Sequence, residues 1–569
     1  MSQSEGNNAR ADRRINIPLG GPLDSSRYPG RGSRSQLQIA QNVVYRRIGA
    51  TSKRTGSDYY GSSVVGVPVQ PFVGGVRSGY RWNRGKYAGI TNILNVQIVQ
   101  SGDAFYIGND ASGIFTALPL AVGVTIAAGT TPAYYTASFD PALNSDIAII
   151  TYGSGAPIKY DGTNPATFLS ASITNHFTGC YFWHDHVWYW GDPNFPDDLY
   201  ASDLAQPESF TFTNAFGAYQ VGRGDGDPFV QGVMDLGDTM YVFKSASIYA
   251  VQGFDFVQGE YPFSLKPQFA RKGTPNGRSI ARLHNTAIFW TGTGFEKFAI
   301  NSDVTTPIGL PIQADVAFLA SGNQAAIRAA SGDFLVQGRS GASLYNDVYM
   351  CALDGGSGVA DTIAFYDDYA TAAGGDGVPR WSIFKGINVG AFIQWQKGVD
   401  PKLLMIGLAT EAAVVQFGKN ATSDRGVAIS TIIKTIRDDG GTPDKAKQID
   451  RAFIEVDANA TTFGVEMELG GQTLFPISTG LTLTALSDSV GTSTPPGGSV
   501  FGTAPPAAQF GTGVFSSGVS TQYQAPAATF MGKPGKARNV AFIITEASNT
   551  SLWELLSLTW HCIEESVEI

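Results

Sequence analysis

Short runs of apolar residues, separated by turns of small residues, recur along most of this chain. Each repeat consists of a strand-like run, a turn and a second run with an aromatic residue near its end. Asp or Asn opens most of the repeats, which suits the turn that precedes a strand. Runs such as AII (148–150) and MYVF (240–243) are apolar on both faces and predict strands buried on both sides. The repeats begin at Asp103, Asp146, Asp185, Asp238, Asn285, Asn346 and Leu403.

The spacing of these hairpins predicts a β-propeller. Successive starts lie 39 to 61 residues apart, and a four-stranded blade takes roughly 40–50 residues. Since one blade cannot bury both of its faces, blades must stack around an axis. We therefore predict an all-β fold with a six- or seven-bladed propeller over residues 41–425; two β-sandwiches with coincidental spacing are the alternative. Helical pattern is almost absent, with one or two turns predicted at 312–319 and at 325–330.

The pattern changes after residue 425. Longer alternating strands predict a β-sandwich or platform domain over 426–569, and they lie at 428–437, 448–456, 463–467, 539–544 and 552–563. Between residues 487 and 530 a stretch rich in Gly, Pro, Ser and Thr carries a single charge, Asp488, and predicts a long loop or extended arm. Candidate anchors of this loop, on its own domain or on a neighbouring subunit, are Phe501, Phe510, Phe515 and Tyr523.

The composition narrows the classes of protein. Only 15% of the 569 residues are charged, while 68 are glycine and 12% are aromatic, which argues against a helical bundle, a coiled coil or a disordered chain. The chain contains no run of about 18 apolar residues, the length that would predict a membrane span. The first residues also lack the apolar segment of a secretory signal. Three cysteines without a CxxC pair exclude a disulfide framework and a zinc ribbon.

Charge is unevenly distributed along the chain. The net charge is −9, yet residues 1–54 hold ten basic and three acidic side chains, which leaves −16 for the remainder. We predict that residues 1–40 form a basic N-terminal arm that docks on an acidic partner or on a neighbouring copy; a solvated terminus is the alternative. The candidate interface residues are Arg10, Arg13, Arg14, Arg27, Arg31 and Arg34.

Two histidines stand close together at 184–186, in the stretch WHDH. Residues two apart lie on one face of a strand, so His184 and His186, with aspartates at 192, 197 and 198, form a candidate metal site. The alternative is a rim strand whose polar residues face outward among the neighbouring aromatic residues.

A glycine-rich stretch at 221–228, VGRGDGDP, contains two further candidates. Arg223-Gly224-Asp225 is an adhesion-type tripeptide, and the alternating Asp225 and Asp227 suggest a calcium site. No Glu follows at the spacing of a calcium-binding helix–loop–helix, so the favoured interpretation is a turn before a strand at 229–234.

The motifs of the common enzyme classes do not occur in the context they require. The stretch TGTG (291–294) joins two predicted strands, so no helix N-terminus follows it to hold a phosphate. Adjacent carboxylates such as Asp367 and Asp368 face opposite ways on a strand. We therefore predict a protein that is not an enzyme and that uses no cofactor or metal.

Several segments, taken in order, resemble the tail nozzle proteins of short-tailed bacteriophages, also called tail tubular protein B or packaged-DNA stabilisation proteins. The first combines QNVVY (41–45) with GATSKRTG (49–56), whose end resembles a "KRxG" turn at the opening of that family. Each of the others is a blade-type hairpin, so their order carries the resemblance more than any one motif does. They lie at 182–210, 224–250, 292–316 and 363–368, the last with Trp381 downstream.

The resemblance implies a propeller-bearing subunit of a homo-oligomeric ring of six copies, made in the host cytoplasm and located in the virion tail. Its partners would be the tail adaptor and the fibre or spike proteins, and double-stranded DNA would pass without sequence-specific binding. Such a ring continues the DNA channel below the adaptor, retains packaged DNA and permits its ejection. An acidic body, about −54 for six copies, agrees with this role because carboxylates repel DNA phosphates.

Two other functions stay open. A receptor- or polysaccharide-binding propeller of the virion would stack sugars on an aromatic rim formed by Trp183, Trp188 and Trp190. An intracellular protein-interaction propeller is the third possibility, although the Trp-Asp and kelch signatures are lacking.

Overall fold

The computed structural model divides into two compact units, which we call the propeller unit (55–427) and the sandwich unit (1–54 with 428–569). The residues that the structure describes are 11–25, 35–45, 49–62, 65–85, 94–109, 114–128, 131–170, 173–210, 219–222, 224–227, 229–253, 263–270, 272–300, 302, 304–320, 326–332, 347–355, 357–395, 403–418, 422–443, 445–458, 461–469, 473–483, 522–524, 538–548 and 553–565.

Four strands of the sandwich unit precede the propeller unit: β1 (Ala11–Pro18), β2 (Leu37–Gln41), β3 (Val43–Val44) and β4 (Thr51–Lys53). The next strand, β5 (Ser57–Tyr59), already belongs to the propeller unit.

Five four-stranded antiparallel sheets follow one another in the propeller unit and form blades 1 to 5. Blade 1 contains β6 (Val76–Arg84), β7 (Leu94–Ser101), β8 (Ala104–Asn109) and β9 (Phe115–Ala117). Blade 2 contains β10 (Tyr134–Asp140), β11 (Ser145–Thr151), β12 (Ile158–Tyr160) and β13 (Thr167–Phe168). Blade 3 contains β14 (Gly179–Trp183), β15 (His186–Asp192), β16 (Phe195–Ala201) and β17 (Tyr219–Gln220). Blade 4 contains β18 (Val230–Leu236), β19 (Thr239–Lys244), β20 (Ser247–Gln252) and β21 (Ser264–Ala270). Blade 5 contains β22 (Ala281–Leu283), β23 (Thr286–Trp290), β24 (Phe295–Ala299) and β25 (Thr306–Pro307).

Blades 6 and 7 share one long strand. Blade 6 contains β26 (Ile327–Gly332), β27 (Val348–Leu353), β28 (Ala360–Asp367) and the first half of β29 (Arg380–Trp395). The second half of β29 pairs with β30 (Leu403–Leu408), and β30 pairs with β31 (Val414–Phe417). The outer strand of blade 7 is β5, which pairs with β31 in the register Tyr59↔Val415. A strand from the front of the unit thus completes the last blade and closes the ring of seven blades in the described residues.

Short helical elements and two small strands complete the propeller unit. The described helices are two α-helices, α1 (Ala317–Ala320) and α2 (Asp368–Gly374), and the 3₁₀ turns Gly277–Ser279 and Leu310–Ile312. The strands β32 (Ser423–Asp424) and β33 (Val427–Ala428) follow blade 7, and β32 pairs with β5.

The core of the propeller unit lies between neighbouring blades. Trp82 and Ile98 of blade 1 pack with Ile150 of blade 2, and all three are fully buried. Equivalent clusters lie between blades 2 and 3, 3 and 4, 4 and 5, and 7 and 1. Apolar side chains on both faces of each blade therefore stabilise the stacking, which is why the central strands are apolar almost throughout.

The sandwich unit combines the early strands with β34 (Thr431–Thr435), β35 (Ala446–Ala458), β36 (Thr461–Leu469), β37 (Thr473–Leu483), β38 (Gln522–Gln524), β39 (Val540–Glu546) and β40 (Trp553–Glu565). One layer is β38-β35-β40, with β1 and β4 both pairing along the free edge of β40. The other layer is β2-β34-β39-β36-β37. Phe463 packs on Trp553 and Phe542 on Trp560, with ring centroids 5.4 and 6.4 Å apart, so the two layers share an aromatic core.

The structure confirms the all-β propeller with an additional sandwich and sets the blade number at seven in the described residues. Six of the seven predicted hairpins are the second and third strands of successive blades, and the hairpin at Asp103 is the third and fourth strands of blade 1. The five strands predicted after residue 425 are β34, β35, β36, β39 and β40. The predicted helical turn at 325–330 is wrong, because residues 327–330 belong to β26 and extend a blade, while residue 325 lies outside the described residues.

The predicted domain boundaries differ from the structure at the N-terminal end. The predicted end of the propeller at 425 lies two residues from the observed limit, but its start lies at 55 and not at 41. Residues 1–40 were expected to form a separate arm, yet β1 and β2 are strands of the sandwich unit. Hydrogen bonding to β40 and burial of Ile15 and Ile17 hold β1 in place.

Candidate functional site

An axial cavity of about 830 Å³ lies in the propeller unit, where the inner strands of the blades begin. Most of its lining residues stand at or close to the start of a blade, from Val76 in blade 1 to Val389 in blade 7, and all seven blades contribute. The volume falls within the roughly 300–1,000 Å³ of typical small-ligand sites. Because the blades are arranged around one axis, residues far apart in sequence meet here.

Close approach of neighbouring blades shapes the cavity wall. A Cβ at Gly390 would lie 1.8 Å from the carbonyl oxygen of Val76, and one at Gly277 would lie 1.9 Å from that of Gln231. Side chains of any size are therefore excluded at these positions, and backbone is exposed to the cavity instead. Blade 7 meets blade 1 at the first contact, and blade 4 meets blade 5 at the second.

Three arginines line this cavity: Arg77 from blade 1, Arg278 from blade 5 and Arg328 from blade 6. Arg77 forms an ion pair with Asp103 at 2.9 Å, and Arg328 forms one with Asp354 at 3.4 Å. The guanidinium of Arg278 lies 4.7 Å from the centre of the Tyr134 ring and donates to the carbonyl of Pro132. The sequence analysis did not single out these three arginines, because the residues around each of them form no recognisable motif. The one available signal was that each arginine lies near the start of the first strand of a blade.

The glycine-rich stretch at 221–227 forms an internal clamp of blade 4. Asp225 accepts hydrogen bonds from the buried ammonium of Lys244, at 2.9 and 3.0 Å, and from the hydroxyl of Tyr249. Asp227 accepts from the backbone N–H groups of Ser245 and Ala246. The two carboxylates thus stabilise the β19–β20 turn by accepting hydrogen bonds within blade 4. The described residues of the stretch form a turn before a strand, as predicted. Arg223 lies outside the described residues.

These contacts favour the ionised form of the Asp225 carboxyl group. Burial opposes the charged carboxylate, but the hydrogen bonds from Lys244, from the Asp227 backbone and from Tyr249 outweigh it and lower the pKa of Asp225. Burial and the neighbouring Asp225 raise the pKa of Tyr249 to about 12, so the hydroxyl keeps its proton and continues to donate.

The prediction that His184 and His186 share one strand face is wrong. His184 and Asp185 have φ angles of 49° and 57° and form the two-residue turn between β14 and β15. His186 is buried, with Nδ1 against the carbonyl oxygen of Ser202 and its ring 5.2 Å from that of Phe263. In the part of the chain that the structure describes, no group of three or more His, Cys, Asp and Glu side chains is placed to hold a metal ion.

The aromatic rim that the alternative sugar-binding function needs is not formed by these three tryptophans. Trp183, Trp188 and Trp190 are at most 5% exposed, and they belong to the apolar cluster between blades 3 and 4. Trp188 donates its indole N–H to the carbonyl of Trp183. Stacking of blades, which a local sequence pattern does not report, therefore buries the rings that the alternative function would use to contact sugars.

Of the six arginines predicted at an interface, the structure describes two. Arg13 lies on β1 and forms an ion pair with Glu564 of β40 at 2.7 Å. Arg14, the next residue, points its side chain to solvent. Arg10, Arg27, Arg31 and Arg34 lie outside the described residues, as do the loop anchors Phe501, Phe510 and Phe515, whereas Tyr523 lies on β38 opposite Val456.

Replacement of Glu564 by glutamine is expected to reduce the acid sensitivity of the sandwich unit. Burial opposes its ionisation, but hydrogen bonds from Thr442, Arg13 and Lys445 lower the pKa of Glu564 to about 2 from the ordinary 4.5. A depressed carboxyl pKa adds stability above pH 4.5 that disappears as the pH falls towards 2. Thermal unfolding of both proteins between pH 7 and pH 2 should show a lower Tm for Glu564→Gln at pH 7 and convergence near pH 2.

The matched control is Glu466→Gln, which removes a half-buried carboxylate from β36. It should unfold in parallel with the wild type across the same pH range. A constant difference between Glu564→Gln and the wild type down to pH 2 would contradict the role assigned to Glu564.

No helix among the described residues is long and apolar enough to cross a membrane.

No protein-family model and no curated protein matches the sequence. The BBS1N structure in complex with ARL6DN has 9% identity and a TM-score of 0.37, covering 64% of this chain and 96% of that one. YCF48 bound to D1 peptide has 9% identity and a TM-score of 0.34, covering 65% and 100%.

A third solved structure is PorZ, a surface component of the type-IX secretion system of Porphyromonas gingivalis. It has 10% identity and a TM-score of 0.32, covering 67% of this chain and 44% of that one. Likeness at this level carries no information on function, and the seven-bladed architecture described above rests on the strand pairing of this chain.

Proposed function

We propose that this protein is a structural, ring-forming subunit of a short bacteriophage tail. In this role six copies continue the DNA channel below the adaptor, retain packaged DNA and permit its ejection. The proposal starts from the resemblance in the sequence, and three features of the described residues support it.

The family-like segments are distributed over the architecture in an informative way. The first lies where the chain passes from the sandwich unit to the propeller unit, and the other four lie in or beside blades 3, 4, 5 and 6. A resemblance confined to one hairpin would be expected of any propeller. A resemblance that covers the passage between the two units and four consecutive blades extends over most of the chain.

The junction carries the proposal. Lys53 and Arg54 are both fully buried: Lys53 forms an ion pair with Glu546, and Arg54 donates from Nε to Asn42 at 2.9 Å. Two residues on, a Cβ at Gly56 would lie 1.9 Å from the carbonyl oxygen of Ser423. Three positions of the Lys-Arg-x-Gly turn are therefore used by the fold, which supports the resemblance at this segment.

The distribution of charge agrees with a DNA conduit. Residues 55–427 hold 21 basic and 31 acidic side chains, a net charge of −10, whereas the sandwich unit has a net charge of +1. The acidity of the protein thus belongs to the propeller unit. Acidic surfaces repel DNA phosphates and let the duplex pass without counterion-release binding.

Purified protein, alone and mixed with the adaptor, is expected to form rings of six copies by native mass spectrometry and electron microscopy. An antibody to the protein should label the tails of purified virions. A protein that stays monomeric in both samples and is absent from virions would end the proposal.

The exposed Arg14 offers a test of the predicted interface. Arg14→Glu is expected to weaken assembly at low salt by about tenfold, because it reverses a charge on the basic N-terminal region. Arg282→Glu is the control, since Arg282 is 44% exposed and lies in the propeller unit. Equal losses in both variants would assign the effect to net charge and not to this surface.

A further inference from the structure

We infer that the axial cavity of the propeller unit is a binding site for a small polyanion, a ligand that carries several carboxylate or phosphoryl groups. This inference concerns a site that the proposed tail function does not use, and it stands or falls independently of that function.

The sign of the charge in the cavity is opposite to that of the unit that contains it. The propeller unit has a net charge of −10, yet its described cavity lining contains Arg77, Arg278 and Arg328 and no Asp or Glu. The three arginines come from blades 1, 5 and 6, so the ring closure places them around a common space. Cavity walls of low dielectric strengthen the attraction of such a cluster for an anion.

The guanidinium groups of the three arginines favour oxyanions as ligands. A guanidinium presents planar, forked donors that match the geometry of carboxylate and phosphate groups. Arg278 is held in place by stacking on Tyr134 and by one hydrogen bond to Pro132, and a guanidinium has five donors. Stacking therefore orients Arg278 while leaving donor capacity for a ligand.

The ion pairs of the other two arginines can be exchanged for a ligand. Arg77 and Arg328 are 42% and 45% exposed, and their partners Asp103 and Asp354 do not line the cavity. Water and salt screen the Arg77–Asp103 pair, because Asp103 is 39% exposed as well. Asp354 is only 10% exposed, but it also accepts a hydrogen bond from the backbone N–H of Gly358 at 3.0 Å. A polyanion inside the cavity would thus compete with Asp103 at low cost and with the buried Asp354 at a higher cost.

The backbone supplies the remaining surface. Gly74, Gly75, Gly277, Gly358 and Gly390 line the cavity, and contacts with neighbouring blades exclude a side chain at Gly75, Gly277 and Gly390. The ligand therefore meets a smooth wall with polar backbone groups, and the cavity has room for a molecule of several functional groups.

Isothermal titration calorimetry with citrate and with inorganic tripolyphosphate tests the inference and separates the two sources of charge. The wild-type protein is expected to bind at least one of them, with an affinity that falls as salt is raised. Binding of citrate alone would assign the site to carboxylates, and binding of tripolyphosphate alone would assign it to phosphoryl groups.

Substitution of the arginines tests the location. Arg278→Gln, Arg77→Gln and Arg328→Gln are each expected to weaken binding roughly tenfold or more, and Arg278→Lys should restore only part of the affinity because it lacks the fork. Arg282→Gln is the matched control: Arg282 is 44% exposed, is paired with Asp235 at 3.3 Å and does not line the cavity. It should bind within twofold of the wild type.

Two results would overturn the inference. One is the absence of binding of both ligands to the wild-type protein at millimolar concentration. The other is an equal loss for Arg282→Gln and the cavity variants, which would indicate non-specific attraction. Circular dichroism of each variant ensures that a loss of binding is compared among folded proteins only.

Discussion

Replacement of Lys53 by alanine is expected to destabilise the sandwich unit by about 3–5 kcal/mol, because it leaves a buried carboxylate without its partner. Lys53 Nζ lies 2.9 Å from Glu546 Oε2, and both side chains are fully buried. Lys53 also donates to the carbonyl of Ser548, whose backbone N–H donates to the other oxygen of Glu546 at 2.7 Å. The substitution thus disrupts a compact charged network at the end of β4.

Hydrogen exchange measured by mass spectrometry would localise this effect. Peptides that cover β39 and β40 should lose protection by a factor of one hundred or more, on the order expected for 3–5 kcal/mol, while peptides of blades 2 to 5 stay protected. The double variant Lys53→Met with Glu546→Leu should recover most of the loss, since apolar replacement of a buried pair is often nearly neutral.

An exposed ion pair provides the comparison. Arg282→Gln removes a partner from the Arg282–Asp235 pair, whose side chains are 44% and 26% exposed, and should cost about 0–1 kcal/mol. If Lys53→Ala cost no more than Arg282→Gln, the buried pair would not hold β4 in the sandwich unit.

Gly390→Ala is expected to prevent proper closure of the propeller, with a loss of about 3 kcal/mol or more. The new Cβ would lie 1.8 Å from the carbonyl oxygen of Val76 and 3.3 Å from the Cα of Ala409. Backbone atoms of blades 1 and 7 cannot move aside as a flexible side chain can, so the contact that closes the ring has to open. Thermal unfolding and size-exclusion chromatography would detect the lower Tm and the expanded or aggregated protein.

Gly294→Ala is the control for this prediction. A Cβ at Gly294 meets no heavy atom within 4 Å, and the residue lies in the turn between β23 and β24. Its Tm should match the wild type closely, because surface substitutions of this kind change stability by about 0.5 kcal/mol or less. Similar losses in both variants would mean that the propeller tolerates no added methyl group in general and that the closing contact has no special role.

Local patterns predicted the strands but not the backbone conformation of the turns between them. The hairpin predicted from Asp185 contains the strand β15, whereas the left-handed conformation of His184 and Asp185 placed only one of the two histidines on that strand. The helix α2 was missed, although Asp367 caps it by accepting from the N–H of Ala370 and Gly375 ends it at a φ of 69°. Those two residues were the available signal for a short helix.

Burial was predicted less well than secondary structure. Trp183, Trp188 and Trp190 stand close to the polar residues 184–186 in the sequence, and one alternative interpretation placed them on an aromatic rim. Packing of blade 3 against blade 4 covers the side that was expected to face solvent. A single sequence contains no direct record of which faces meet, because each blade is similar to the next.

The sequence by itself determined the all-β class, the series of seven hairpins and the strands of the C-terminal region, since strand periodicity and turn residues act over a few positions. Only the tertiary structure decided that β1 to β4 join the C-terminal strands, that β5 completes blade 7 and that three arginines from blades 1, 5 and 6 share a cavity. These features depend on contacts between residues hundreds of positions apart, and the free energy of such contacts is set by packing and ring closure, which no local pattern encodes.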